Sequence, residues 1–399
     1  ILRLPALGIT VQCARMSDSF TETTSTGWFS RIGNSIKGIL VGMIMIIIAF
    51  PVLFWNEGRA VKTRKDLDQG AKECVSADAA AVDNANDGKL VHISGMATAK
   101  GSLSDSQFGV TAEALKLKRT VEMYQWKENT ETSKKKKLGG SEEKTTTYSY
   151  ETIWAEDRID SGKFKKPSGH SNPSSSLSSQ SWSASPITVG GFTLSSELIG
   201  QIDNFAAFSA QKPQAEMTPI DGRKVQFNNG QYYIGDNAAS PVVGDVRVSF
   251  QAAMSTDVSV VAKQSGQSFS PFTGGSGTTI NMLHMGKHTA DAMFTSAQES
   301  NKMLTWILRV VGFVVMFIGF SLLFKPLSVV ADVLPIAGDI VGIGTGIVAF
   351  LLAAPLSLIT IAVAWIFYRP LIGVPLLILA GVGLFFLFKK FAAVRKAKA

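Results

Sequence analysis

Residues 38–55 read GILVGMIMIIIAFPVLFW, 18 residues without a charge. A helix that crosses a bilayer needs about 20 apolar residues at about 1.5 Å each, so this stretch reads as a membrane span. Three further apolar runs lie toward the other end of the chain. They are 303–324, broken only by Arg309, then 340–368 with Pro355 inside, and 371–388. The run at 340–368 is longer than a span requires, so tilt or a kink at Pro355 is expected. Only Arg369-Pro370 separates the last two runs, which predicts a tight antiparallel helical hairpin. The expected fold class is a four-span integral membrane protein. An α+β extracytoplasmic domain is inserted between transmembrane helix 1 and a C-terminal three-helix transmembrane region. The units are a tail (1–37), a span (38–55), the polar domain (56–302), three spans (303–324, 340–368, 371–388) and a basic tail (389–399).

The chain has 399 residues, 46% hydrophobic and 18% charged, with two cysteines. The apolar share excludes a disordered chain, and the cysteine count excludes a disulfide scaffold. The formal net charge of +8 would by itself suit a polyanionic partner. Its distribution argues against one. Residues 57–302 hold 27 Lys/Arg and 27 Asp/Glu, and the rest of the chain holds 12 and 4. A polar domain of zero net charge has no field with which to steer nucleic acid, so no nucleic-acid partner is expected.

Four spans place both termini on one side. Arg31, Lys37, Lys325, Lys389, Lys390, Arg395, Lys396 and Lys398 fall on that side, against Arg369 in the short loop opposite. The positive-inside rule makes the basic side cytoplasmic. The polar domain is then periplasmic in a bacterium, or lumenal and perinuclear in a eukaryote. The first span lies far from the start and no small-residue cleavage site follows it, so it reads as a signal anchor. Residues 1–15 are expected to be an upstream artefact, and SDSFTETTSTGW (17–28) to be a polar tail. Cys74 is then a lone thiol that forms no intramolecular disulfide. Residues 57–302 contain no N-x-Ser/Thr sequon, which suits a periplasmic domain better than a glycosylated one.

Within the polar domain, KLKRTVEMYQWK (116–127) alternates, with Leu117, Arg119, Val121 and Met123 on one face. With TTTYSYETIW (145–154) it predicts a hairpin whose loop is 128–144. Further strands are expected at 89–97, 187–194, 231–235, 243–252 and 257–263, and a helix at 195–203. Thr289 is expected to cap a helix that runs unbroken into the second span. The Lys134–Lys137 run (KKKK) reads as a solvated turn, with a lipid head-group contact as the alternative. The ten serines of 168–185 read as a flexible surface loop.

The search for chemistry finds no catalytic, cofactor-binding or metal-binding constellation. His284 and His288 are four apart, but Gly286 between them opposes a helix and no third ligand is near. Neither a Gly-x-Ser-x-Gly elbow nor a phosphate-loop lysine is present. Cys74 lacks the basic surroundings of a reactive thiolate. Mid-membrane polar groups are confined to Arg309, Ser321, Thr345, Ser357 and Thr360, a thin set for a channel or transporter. Gly342-x-x-x-Gly346 is a helix-packing signal. Arg309, about two turns inside the second span, either snorkels to the interface or pairs with Glu57 just past the first. The residues singled out for structure or interaction are Glu57, Arg59, Arg309, Gly342, Gly346, Arg369 and Pro370.

The runs WNEGRA (55–60), KLVHISG (89–95), LKLKRTVEMYQW (115–126), YSYETIW (148–154), GHSNP (169–173), VGDVRVSF (243–250) and WIFYRPL (365–371) together resemble the transmembrane protein 43 family, also called LUMA. The likeness covers nearly the whole ordered chain, motif by motif and in order. It implies the four-span architecture and a non-enzymatic membrane scaffold with no cofactor. In animals it implies the ER and inner nuclear membrane, with lamin and emerin-like partners. The short tail and missing sequons suit a bacterial inner-membrane member, for which only scaffold behaviour carries over. Two other readings are a channel or transporter, and a sensor or hydrolase in the polar domain around His92, His170 or His284. The lipid bilayer, other membrane proteins and further copies of the chain are the expected partners.

Overall fold

The computed structural model describes residues 19–212 and 216–371, with Pro375 and Ile378. Residues 1–18, the tail at 389–399 and nearly all of the expected fourth span at 371–388 lie outside the described residues. Among the described residues, three helices are long and apolar enough to cross a membrane. They are α1 (Trp28–Glu73), α3 (Ala290–Ala331) and α4 (Pro335–Tyr368), while α2 (Ser196–Gly200) is a short turn of helix in the polar domain. All three long helices expose large apolar side chains, including Ile44, Ile47, Val310, Val314, Ile343 and Ile347. That is the signature of a hydrocarbon solvent. The chain is an integral membrane protein with an α+β domain between its first and second spans.

α1 and α3 both continue beyond their apolar stretches. α1 holds 46 residues, about 69 Å at the α-helical rise. It passes Trp55 without a break because NEGRAVKTRKDLDQGAKE (56–73) contains no proline. α3 starts at Thr289, whose side chain accepts from the Ala292 N–H, as the sequence predicts. The two helices run antiparallel and touch at glycines. A Cβ on Gly42 would meet the Gly319 carbonyl oxygen at 2.6 Å, and one on Gly312 would meet Leu53 at 2.4 Å. Leu53, Ala49, Met316 and Ala353 close the core between α1, α3 and α4.

Beside two small two-stranded sheets, two large ones build most of the polar domain. In one, Leu90–Ala99 and Thr256–Ser265 pair over eight residues, flanked by Met282–Met285 and Ile187–Val189. Its core includes Val91, Ile93, Phe192, Leu198 and Val260. Leu67, Leu90, Ile280, Met293 and Phe294 then weld this sheet to the far halves of α1 and α3. In the other sheet, Lys116–Lys136 lies between Glu142–Ala155 and Val246–Ala253. The alternation read from the sequence holds: Leu117, Arg119, Val121 and Met123 are all buried.

The hairpin is longer than expected. Strand pairing continues through Lys136↔Glu142, where a loop over 128–144 was predicted, so the turn shrinks to 137–141. A third strand explains the difference. Ser19–Thr26, expected to be a polar tail, pairs antiparallel with 142–149. The result is a three-stranded ribbon, rich in Thr, Ser, Lys and Glu on both faces. Its tip is fastened at the start of α1 and the α3–α4 turn. Arg31 donates to Gly140 O and pairs with Asp332, Lys136 pairs with Asp332 at 2.7 Å and Asp339 at 2.8 Å, and the Gly139 N–H donates to Val333 O. The run at 134–137 is therefore largely strand and docked, not a free loop.

The serine-rich stretch is also more ordered than its composition suggests. Asn172 caps an open strand edge, accepting from the Trp126 N–H at 2.7 Å and donating to Trp126 O at 2.9 Å. Gln180–Ser183 is itself a strand against Lys116–Arg119. Ser178 O accepts twice from Arg119, which also pairs with Asp105 at 2.8 Å in a buried contact.

Candidate functional site

Most of the polar residues singled out from the sequence meet where α1, α3 and α4 leave their apolar stretches. Glu57 is fully buried. Its two carboxylate oxygens accept from Arg309, Nε at 2.6 Å and Nη2 at 2.9 Å. This fork is the strong, directional form of an ion pair. The same carboxylate accepts from Trp365 Nε1 at 2.8 Å, so one side chain of α1 ties both α3 and α4. The Arg309 guanidinium also lies 4.7 Å from the Trp306 ring and 5.6 Å from Trp365. Aromatic side chains at this level fit a membrane–water interface.

Arg59 lies two residues further along α1. It donates to Asn301 Oδ1 at 3.0 Å, Asn56 Oδ1 at 3.2 Å and Thr305 Oγ1 at 3.1 Å. Asn56 donates to Thr305 O, and Asn301 donates to Ala60 O. Arg369 ends α4, with its N–H on Trp365 O and its guanidinium 5.9 Å from the Trp365 ring. Pro370 follows it and supplies no N–H. The sequence singled out Glu57, Arg59, Arg309 and Arg369, with a Glu57–Arg309 pair as one of two readings for Arg309, and the structure brings these side chains to one end of the spans. Sequence reasoning missed Asn56, Asn301, Thr305 and Trp365, whose spacing alone carried no signal.

The glycine motif is placed differently. Among the described residues, a Cβ on Gly342 would meet only Ser328 Oγ at 3.1 Å, and one on Gly346 would meet nothing within 4 Å. The tight crossing belongs to Gly42, Gly312 and Gly319. The signal available was Gly38-x-x-x-Gly42, inside the first span itself.

The histidines and the thiol have structural surroundings. His92 Nε2 lies 2.8 Å from His288 O, His170 stacks on Tyr150, and His288 Nε2 lies 2.9 Å from Met285 O. Burial, assisted by the negative charge of Asp291, pushes the Cys74 thiol up to about 11. The raised value keeps the neutral thiol favoured in the fold, so its stabilising effect is complete below the ordinary thiol range and is lost as pH rises toward 11. Maleimide labelling of folded protein at pH 8 is therefore expected to run roughly a hundredfold slower than for an ordinary thiol, and to accelerate up to about pH 11. Labelling at the ordinary rate at pH 8 would contradict this.

The arrangement is a structural lock at a membrane interface, set beneath a domain that rides on two continuous helices. A multi-pass membrane protein with an inserted α+β domain is the class these features define. The family model described as Transmembrane protein 43 matches residues 123–370. Transmembrane protein 43 of Homo sapiens is 38% identical over 374 residues, covering 91% of each chain, and that of Mus musculus is 38% identical over 363 residues, covering 88% of this chain and 89% of its own. The Transmembrane protein 43 homolog of Drosophila melanogaster is 30% identical over 351 residues, 85% of this chain and 91% of its own. No solved structure matches. The chain belongs to the transmembrane protein 43 family.

Proposed function

We propose that this chain is a non-enzymatic membrane scaffold that self-associates, with the bulk of its α+β domain outside the cytosol. Membership of a family named for its membrane location and not for a reaction supports the non-enzymatic part. The compartment follows from the charge bias of the span flanks. It is the periplasmic side of a bacterial inner membrane, or the lumenal side of the ER and inner nuclear membrane in a eukaryote. Lamin and emerin-like contacts belong only to the second case.

The observation that carries self-association is the ribbon. It leaves a domain packed on the far halves of α1 and α3, and it is fastened at Arg31 and Asp332. It therefore passes the depth of the apolar stretch of α1. Both of its faces are polar, and beyond Trp126 both of its edges are unpaired among the described residues. Hydrocarbon supplies no partners for such strands, which are tolerated at that depth only against protein or a water-filled cavity. Several copies with helices turned to lipid and ribbons turned inward satisfy both surfaces.

Native mass measurement of full-length protein in nanodiscs is expected to give two or more copies. Cysteines placed at Thr23 or Glu131 are expected to cross-link between copies. A mass of one chain, with no cross-link, overturns the reading. The ribbon also favours a second reading, a water-lined passage between copies. Ion flux through liposomes carrying the protein is its test, and tight liposomes leave the scaffold alone.

A further inference from the structure

A cleft of about 290 Å3 opens beside the Glu57 lock, between α1, the turn at 274–278 and the end of α4. Trp55, Arg59 and Lys62 line it from one face of α1, at the i, i+4 and i+7 positions. Ser276 and Thr278 form the opposite wall, and Tyr368 closes the membrane side. The turn is held in place by Asp66, which accepts from the Ser276 and Thr278 N–H groups at 2.7 Å each. Tyr368 packs directly against Gly58, where a Cβ would come within 2.6 Å of its ring.

The charge in this cleft is unbalanced. Among the described residues, its lining contains two cations and no carboxylate. The nearest acids are already used: Glu57 by Arg309 and Trp365, and Asp66 by the turn. Among the described residues, Arg59 bonds only to neutral acceptors, and its Nε is buried without a partner. Lys62 is exposed and forms no ion pair with a described carboxylate. The position matters as much as the charge. Trp55 ends the uncharged run of α1 and is 59% exposed, so the cleft opens where head groups meet the acyl region. An oxyanion with three acceptor oxygens suits a guanidinium and an ammonium that converge from one helix face.

We propose that this cleft binds the phosphate of an anionic phospholipid. The phosphate lies between Arg59 and Lys62, and the acyl chains descend past Trp55 and Tyr368 along α1 and α4. The proposal does not depend on self-association or on what the domain organises. The test is native mass spectrometry of full-length protein in detergent, titrated separately with phosphatidylglycerol, phosphatidylcholine and inorganic phosphate. Wild type is expected to retain phosphatidylglycerol over phosphatidylcholine. Lys62→Glu is expected to weaken phosphatidylglycerol about tenfold or more with an unchanged melting temperature, while phosphatidylcholine binding stays the same. Arg59→Lys, which keeps the charge but not the fork, is expected to fall between the two. Equal retention of both lipids, or a Lys62→Glu variant that binds like wild type, overturns the site. Displacement of the lipid by millimolar inorganic phosphate overturns its assignment to a lipid and makes free phosphate the ligand.

Discussion

Glu57→Ala is expected to destabilise the folded protein by about 3–5 kcal/mol, the cost of removing one partner from a buried ion pair. Glu57 is fully buried and holds both Arg309 and Trp365 Nε1. Its loss leaves the Arg309 guanidinium beneath the polar domain without a carboxylate, with Arg59 and Arg369 also nearby. The double variant Glu57→Leu/Arg309→Met is expected to be less damaged than Glu57→Ala, because it removes the stranded charge along with its partner. Thermal unfolding of all variants in one detergent measures this. Losses for Glu57→Ala and Arg309→Ala that simply add in the double alanine variant would show that the two side chains do not act as a pair.

Gly319→Leu is expected to cost about 3 kcal/mol, at or above the upper end for overpacking a tight core. A Cβ there would meet Ile46 at 2.7 Å and the Gly42 carbonyl oxygen at 2.9 Å. A flexible side chain can swing aside, but a helix backbone cannot, so α1 and α3 would have to separate along their whole crossing. Gly346→Leu is the matched control, since no described atom lies within 4 Å of a Cβ at that position. It is expected to leave the melting temperature of the solubilised protein unchanged. Equal losses at both positions would show that the crossing is not held by close backbone approach.

The parts of the fold set by solvent transfer were legible. Long uncharged runs announce spans whatever they pack against, and Thr289 before a helical stretch announces a cap. The Glu57–Arg309 pair could be foreseen because Arg309 is the one ionisable residue within its apolar run. Trp365 as a third member could not, since an interfacial tryptophan needs no partner. The hairpin was underestimated for a similar reason. Residues 128–136 have no apolar face, so alternation fades where the strand leaves the core, and a polar strand reads as a loop. Its partner Ser19–Thr26 lies more than a hundred residues away, across a span, beyond the reach of any local pattern. Small residues mark where helices can approach, while the geometry of a crossing decides where they do, and α1 and α3 meet at Gly42, Gly312 and Gly319. Asn172 and Ser178 show the same limit in a loop, because composition does not reveal which strand edge a side chain will close.

Ser19–Thr26 has a consequence for how the molecule is made. It leaves the ribosome ahead of the first span, yet its partners at 142–149 emerge more than a hundred residues later, some ~6–25 s at ordinary rates of synthesis. Until then it has no ladder to join, and the loop it finally closes contains the whole of α1. The ribbon is therefore completed late, after the first helix has committed to the bilayer. A bulky fusion at the start of the chain would act on that last closure, and its damage would appear at the ribbon while the spans still inserted normally.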